Sequence, residues 1–328
     1  MNEAYYLLLL SMSENTSVIY DFLIIGAGCA GASGGMYGAR LNLKTAMIGE
    51  LPGGLITTTH LVENWPGIKQ ISGPDLAAAL LDHAASYNVP LINEKVLSVG
   101  RAVQNVPAGK QSGFLVKTGS NSYLAKTVLF ATGTEHKKLG VPGEKELANK
   151  GVSYCALCDA GFFRNKVVAV VGSGDSAVKE AILLAEQCAK VYLLIRGDVV
   201  KAEGPNQTRL QNNPKIEVRF KAEIAEIKGS TKVEKVLLKS GEELPMQGVF
   251  VAVGHLPLSG LAKELGVALN NHGEIMVNRQ SQTNLPGIFA AGDVTDSSFK
   301  QAITGASEAV VASYFAYDYV SKSEVVFE

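Results

Sequence analysis

Cysteine is scarce in this chain, four residues in 328. That sparseness fits a reducing compartment, where a cysteine pair works rather than staples, and argues against a small secreted disulfide scaffold. Charge of one sign is lacking as well. The formal net charge is -1 and there is no long run of Lys or Arg, so nothing calls for nucleic acid or an anionic membrane as partner. Long apolar runs are also missing. The Ala4–Leu10 segment is too short to span a bilayer, with no basic stretch before it and no clear small-residue cleavage site after it. Residues 1–17 therefore read as an N-terminal extension, with Met12 as the expected functional start, and the expected location is cytoplasmic.

What is present is ordinary for a globular protein. Hydrophobic residues make up 47% and charged residues 19%, and the length leaves room for two domains with separate cores.

Two of the cysteines form Cys155-Ala156-Leu157-Cys158, with Asp159 directly after. Two intervening residues bring the sulfurs close enough for a small disulfide ring, and such pairs often hold one thiol with a depressed pKa. A zinc site would need two more ligands, yet Cys29 and Cys188 stand singly and the histidines are scattered. A merely structural disulfide would need an oxidising compartment. Redox activity is the favoured reading.

A glycine loop lies on either side of the pair. Val18–Ile25 reads as a buried strand, Gly26-Ala27-Gly28-Cys29-Ala30-Gly31 as a tight turn opening a helix to Leu41, and Lys44–Ile48 as the next strand, closing at Glu50. This is the dinucleotide fingerprint in its required context. Gly26 permits the turn, Gly28 lets the backbone approach a pyrophosphate, and Gly31 lets helix and strand pack closely. The helix N-terminus favours the anion, and Glu50 can accept from a ribose diol. Lys166–Val171 opens a second unit of the same design through Gly172-Ser173-Gly174-Asp175-Ser176-Ala177. In the helix that follows, Val178, Ala181, Ile182, Ala185 and Cys188 form an apolar stripe, which assigns Cys188 to packing. Further strands are expected at Val191–Ile195 and Gly248–Val253, helices over 74–87 and 301–319, a β-meander between Glu94 and Ala125, and a separate buried strand over Val128–Ala131. The fold class is α/β, with two Rossmann-like, three-layer nucleotide-binding domains.

Taken with Glu63-Asn64-Trp65-Pro66-Gly67, Ala131-Thr132-Gly133, Gly292-Asp293 and Lys300-Gln301-Ala302, these motifs resemble the low-molecular-weight thioredoxin reductases over about residues 18–320. The resemblance implies that the second domain is inserted into the first: a flavin domain over 18–135 and 258–328, and a dithiol and nicotinamide domain over 136–257 that rotates on hinges near Gly133 and Gly254. It implies FAD on Gly26, Gly28, Gly31, Glu50, Thr58, Asn64, Gly133, Gly292, Asp293, Gln301 and Ala302. By the same resemblance Cys158 faces the flavin as the charge-transfer thiolate, Cys155 attacks the disulfide of a thioredoxin-like partner, and Asp159 manages the thiol protons. For Asp159 a plain N-cap after a turn is the alternative. A homodimer is expected from the resemblance alone.

Two departures stand out. NADPH-using relatives carry His-Arg-Arg and a further Arg after the second domain's second strand. Here the segment is Ile195-Arg196-Gly197-Asp198-Val199-Val200-Lys201, so only Arg196 and Lys201 remain as matching cations. Losing one charge-assisted phosphate contact costs about 1.5–3 kcal/mol, so NADPH binding on Gly172, Gly174 and Ala177 is expected to be weakened. NADH does not follow, because no acidic residue ends the strand, and reduced ferredoxin is a third donor to weigh. Leu55 stands where relatives usually have Gln. A flavin and dithiol oxidase, a redox sensor or a partner-binding module stays open beside the reductase, which intact Cys155, Cys158 and Asp159 favour.

Overall fold

The structure is a computed structural model that describes residues 18–59 and 62–327, so the extension expected over 1–17 lies outside the described residues. The chain divides into two compact units. One draws on residues up to Glu135 and again from Pro257, and the other is the intervening His136–Leu256.

In the first unit, strand β1 (Ile19–Ile25) runs into helix α1 (Cys29–Arg40) and strand β2 (Thr45–Ile48). Helix α2 (Gly73–Ser86) starts where the Ser72 hydroxyl accepts the Asp75 N–H at 3.1 Å, with Pro74 in its first turn. Strands β3 (Leu91–Ile92), β4 (Val96–Arg101), β5 (Gln111–Ser112), β6 (Phe114–Thr118) and β7 (Ser122–Phe130) complete the first pass. The meander and the separate buried strand expected from sequence are here merged. β7 is one strand of nine residues, paired with β1 from Leu124 to Phe130. Polar Lys126 and Thr127 are absorbed without a turn. Thr127 donates to the Asp21 carbonyl at 2.5 Å, and Lys126 pairs with the Asp21 carboxylate at 2.8 Å.

The chain leaves the first unit through β8 (Thr134–His136). Strand β9 (Val152–Ser153) then leads into a one-turn helix α3 (Ala156–Asp159). Strand β10 (Val167–Val171), helix α4 (Asp175–Gln187) and strand β11 (Lys190–Ile195) repeat the strand–turn–helix–strand of the first unit. Helix α5 (Gly204–Gln211) and β12 (Ile216–Phe220) follow. Next come an antiparallel sheet of β13 (Ile224–Lys228), β14 (Lys235–Leu238) and β15 (Glu243–Pro245), and the central strand β16 (Gly248–Val251). The return strand β17 (His255–Pro257) pairs with β8. Helix α6 (Gly260–Leu265), β18 (Ile288–Ala290), the long helix α7 (Ala302–Lys322) and β19 (Val325–Val326) finish the first unit.

The first unit's sheet has the order β3-β2-β1-β7-β6-β4, with β18 also beside β7. The second unit's main sheet is β12-β11-β10-β16-β9, parallel throughout. Parallel strands covered on both faces need apolar runs, which β10 supplies throughout and β1 from Phe22 to Ile25. In β1, Leu23 and Ile25 pack with Val128 and Ile288 on one face, while Phe22 and Ile24 pack with Phe289 and Ala309 on the other. In β10, Val168 and Val170 pack under α4 against Val178 and Ile182, while Ala169 and Val171 pack against Ile224 and Val236 of the antiparallel sheet. Each unit is therefore a three-layer α/β body of the doubly covered kind. Cys188 is buried in the α4 face of the second core, with its thiol pushed up to about 11 by burial, so it packs rather than reacts.

Candidate active site

Both glycine turns sit where a parallel sheet hands its strand to a helix. At the first, Gly26 has a φ of 117°, and a Cβ on it would lie 2.1 Å from the Ala131 carbonyl oxygen. A Cβ on Gly31 would lie 1.9 Å from the Gly26 carbonyl oxygen, so the first turn of α1 can seat on β1 only without a side chain there. Gly28 caps α1 without a side-chain bond and no acidic residue occupies the first turn, which leaves the helix-terminal N–H groups available to an anion.

Several other expected flavin residues converge on this turn. Gly53 donates to the Ala27 carbonyl at 2.8 Å, laying the Leu51–Gly54 loop along Ala27 and Gly28. A Cβ on Gly292 would lie 3.2 Å from the Ala30 methyl, so the Gly292-Asp293 turn abuts α1. The Cys29 thiol there is pushed up to about 11, first by burial and also by the nearby Asp293 carboxylate. Asn64 donates to the Gln301 side-chain oxygen at 2.9 Å, and Gln301 is the N-cap of α7, immediately before Ala302. Thr58 ends a short 3-10 helix, Gly54–Thr58, and its hydroxyl donates to the Leu55 carbonyl at 2.8 Å. Leu55 itself is exposed. Glu50 stands at the end of β2 beside Lys95, 3.6 Å away. Gly133 follows Ala131 and Thr132, whose backbone abuts Gly26, and its carbonyl accepts the Leu258 N–H at 3.0 Å.

A dinucleotide needs an uncapped helix N-terminus, close backbone and hydroxyl-binding side chains at the strand ends. This unit supplies all three, so FAD fits its residues.

The second turn repeats the cradle. A Cβ on Gly172 would lie 2.4 Å from the Ala252 carbonyl oxygen and 2.8 Å from the buried Ala177 methyl. Gly174 caps α4, and the Lys201 N–H donates to the Ser173 carbonyl at 2.7 Å, which brings Lys201 beside the loop. Asp175 follows in the first turn. Its carboxyl is held below the usual range, first by the Lys179 side chain and then by Asn206, which donates to it at 2.8 Å. Arg196 and Gly197 follow β11, and both are exposed. A Cβ on Gly197 would meet nothing within 4 Å.

The dithiol lies in this second unit. Cys155 and Cys158 are disulfide-bonded across a Cα separation of 5.3 Å, with Cys155 as the N-cap of α3. The Cys158 N–H reaches the Cys155 sulfur at 3.2 Å. Ser153 ties the segment together. It accepts the Cys155 N–H at 3.1 Å and donates its proton to the Asp159 carboxylate at 2.6 Å. Asp159 makes no side-chain cap to the 3-10 turn that follows it, so the N-cap alternative lacks its bond. The residue before the pair is anchored too. Tyr154 donates to the buried Glu144 carboxylate at 2.9 Å, which also accepts the N–H groups of Leu139 and Gly140. Among the described residues, no group of three or more His, Cys, Asp or Glu could hold a metal ion.

Comparison with known proteins agrees over nearly the whole chain. The family model described as pyridine nucleotide-disulphide oxidoreductase matches residues 20–309. The thioredoxin reductase of Bacillus subtilis is 39% identical over 318 residues, covering 95% of this chain and 97% of that protein. That of Treponema pallidum is 37% identical, covering 92% and 97%. The crystal structure of thioredoxin reductase from Streptococcus pyogenes has a TM-score of 0.84 at 38% identity, covering 93% of this chain and 99% of that one. The chain belongs to the thioredoxin reductase branch of this family.

Several side chains that organise the reductase carry no sequence signal of their own. Ser153 is a lone serine on a two-residue strand. Glu308 accepts the Gly292 N–H at 2.7 Å from the second turn of α7, and Lys300 holds the Asp293 carbonyl at 2.8 Å while pairing with Glu274. Lys300 precedes Gln301 in the motif string, and that adjacency was the signal available for it.

Proposed function

We propose that this chain is a flavin-dependent thioredoxin-disulfide reductase that draws on a nicotinamide nucleotide and passes electrons through Cys155 and Cys158 to a thioredoxin-like protein. The observation that carries the reading is the Cys155–Cys158 disulfide, with Asp159 bonded to it through Ser153, in a chain that matches such reductases along almost its full length.

FAD, when bound on the first unit, supplies two-electron transfer between a nicotinamide and a disulfide. The chain's own residues do the rest. Two electrons break the Cys155–Cys158 bond and leave one thiolate and one thiol. Asp159, fixed by Ser153, delivers the proton to the sulfur that becomes a thiol and retrieves it when that sulfur returns to disulfide. Cys155 attacks the partner's disulfide, forming a mixed disulfide that Cys158 resolves. Among the described residues no helix is long and apolar enough to cross a membrane. We assign the reductase to the cytoplasm as a homodimer, on the scarcity of cysteine and the family resemblance.

Replacing Cys158 with Ser tests the function. Flavin reduction by nucleotide is expected to persist while thioredoxin-coupled disulfide reduction disappears; unchanged reduction would sink the mechanism. The donor is tested by anaerobic titration with NADPH and then NADH, following flavin absorbance. Exposed Arg196 and Lys201 without a second arginine point to NADPH binding that is retained but weak. Bleaching by NADH alone, or only by dithionite or reduced ferredoxin, would overturn that assignment.

A further inference from the structure

Helix α4 buries an almost wholly apolar face, through Ala177, Val178, Ala181, Ile182, Leu184 and Ala185. One residue breaks the pattern. Glu180 turns its carboxyl inward and accepts the backbone N–H of Ala156, the residue between Cys155 and Leu157. Ala156 is buried and is the first residue of α3, so its N–H is one that the helix itself leaves unpaired. The second carboxyl oxygen, Oε2, is buried with no hydrogen-bond partner. A carboxyl with an unpartnered buried oxygen destabilises the fold, and an apolar residue would pack the same face at lower cost. Stability does not explain Glu180.

We propose that Glu180 is a positioning residue for the dithiol, holding the Ala156 N–H within the Cys155–Cys158 loop and taking up a proton from solvent when the disulfide is reduced. The geometry gives both halves. The Ala156 bond fixes the backbone between the sulfurs, and the unpartnered oxygen is the place for the proton. Burial supports the second half, since it raises the Glu180 carboxyl to about 7 in the disulfide state, with the Ala156 N–H opposing the rise.

Reduction then couples to the carboxyl electrostatically. The disulfide accepts two electrons and one proton to give a thiol and a thiolate. A thiolate formed in the Cys155–Cys158 ring, whose backbone includes the anchored Ala156 amide, disfavours a carboxylate at Glu180, so its pKa rises further on reduction. Between the two pKa values, reduction binds one extra proton at Glu180. Other charges do not compete. Of the elements packed on α4, the short 3-10 turn Ala160–Phe163 and β10 carry no titratable group. α3 brings Asp159 and the two sulfurs, β11 brings Lys190 and Tyr192, α5 brings Arg209, and β12 brings Glu217 and Arg219. α4 itself carries Asp175, Lys179 and Glu186. None of these contributes to the Glu180 shift.

The inference rests on the dithiol being reducible, and its test needs neither nucleotide nor partner, so it fails separately from the proposed function. The full-length FAD-loaded protein is equilibrated with dithiothreitol redox buffers from pH 6 to pH 9, and the reduced fraction of the Cys155–Cys158 pair is read by thiol alkylation and mass spectrometry. Glu180→Gln keeps the acceptor for Ala156 and removes the titration. Above about pH 7, the wild-type equilibrium constant for reduction is expected to fall relative to Glu180→Gln by a factor approaching ~tenfold per pH unit. Superimposable curves would overturn the proposal. Should Glu180→Gln fail to fold, Asp159→Asn decides. Retention of the wild-type pH course in that variant supports Glu180 as the proton site, and its loss transfers the proton to Asp159.

Discussion

The Ser153 hydroxyl donates to the Asp159 carboxylate across 2.6 Å while accepting the Cys155 N–H, so one serine joins the two ends of the disulfide loop. Ser153 is buried, and without its hydroxyl the Cys155 N–H and one carboxylate oxygen each lose a partner. Ser153→Ala is therefore expected to slow thioredoxin-coupled turnover about tenfold, the kinetic equivalent of one hydrogen bond to a charged group. Asp159→Asn removes the acid and base itself and is expected to cost about 10²-fold or more. Both variants should keep a full complement of flavin. Steady-state kinetics with a thioredoxin-coupled disulfide assay checks this, and a Ser153→Ala variant at wild-type rate would refute it.

The nucleotide site gives a gain-of-function prediction. Gly197 is exposed and its Cβ position is open, so a side chain can leave the backbone there without a clash. Gly197→Arg adds a guanidinium beside Arg196, and a charge-assisted contact to a 2′-phosphate is worth about 1.5–3 kcal/mol. The KM for NADPH is expected to fall roughly tenfold to a hundredfold, while that for NADH stays within about twofold. An equal change for both nucleotides would show that Gly197 does not face the 2′ position.

How much of this was legible in sequence follows from the range of each interaction. The two strand–glycine–helix units were legible because buried parallel strands are continuous apolar runs and the glycines follow them directly, as in β1 with Gly26 and β10 with Gly172. β7 was misread as two segments because Lys126 and Thr127 look like a break until Asp21, about a hundred residues earlier, is placed beside them. The Asn64–Gln301 bond spans 237 positions, and only the motif strings hinted that the two ends meet. Ser153 and Glu180 were invisible for a different reason. Each is a common residue type whose meaning lies in which backbone N–H it faces, the Cys155 and Ala156 amides respectively.

His136 makes a prediction about acid stability. Its ring stacks on Tyr154 at 5.2 Å and lies 4.6 Å from the His255 ring. Burial first, then the His255 and Lys138 charges, lower its pKa to about 4 from an ordinary 6.5. The unfolded chain thus binds this proton more tightly than the folded one. Stability contributed by neutral His136 is present above about pH 6.5 and is lost as pH falls toward about 4. Acidification through that window should remove about 1–2 kcal/mol through this group, the solvent-facing edge of the ring screening part of the effect. Denaturant midpoints at pH 7 and pH 4.5 check this. His136→Phe should lose correspondingly less stability on acidification, and an identical loss would rule His136 out.

The two glycine turns predict opposite responses to one methyl group. In Gly31→Ala the new Cβ would lie 1.9 Å from the Gly26 carbonyl oxygen, a backbone atom that cannot swing aside. Helix α1 must lift off β1, and the N–H groups at its start move away from any pyrophosphate resting there. Overpacking of this kind costs about 1–3 kcal/mol, and the displaced helix terminus weakens the flavin further. Gly31→Ala should therefore purify largely without FAD, read from the ratio of flavin to protein absorbance. Gly174, the N-cap of α4 and the counterpart of Gly28, is different: a Cβ there would meet nothing within 4 Å, and its φ of -82° is one that any residue adopts. Gly174→Ala should keep both fold and flavin, and any loss it shows should fall on nucleotide affinity. Full flavin retention in Gly31→Ala would mean that the cofactor is not held by the first turn of α1. Flavin loss in Gly174→Ala would mean that the two turns do not divide the two nucleotides between them.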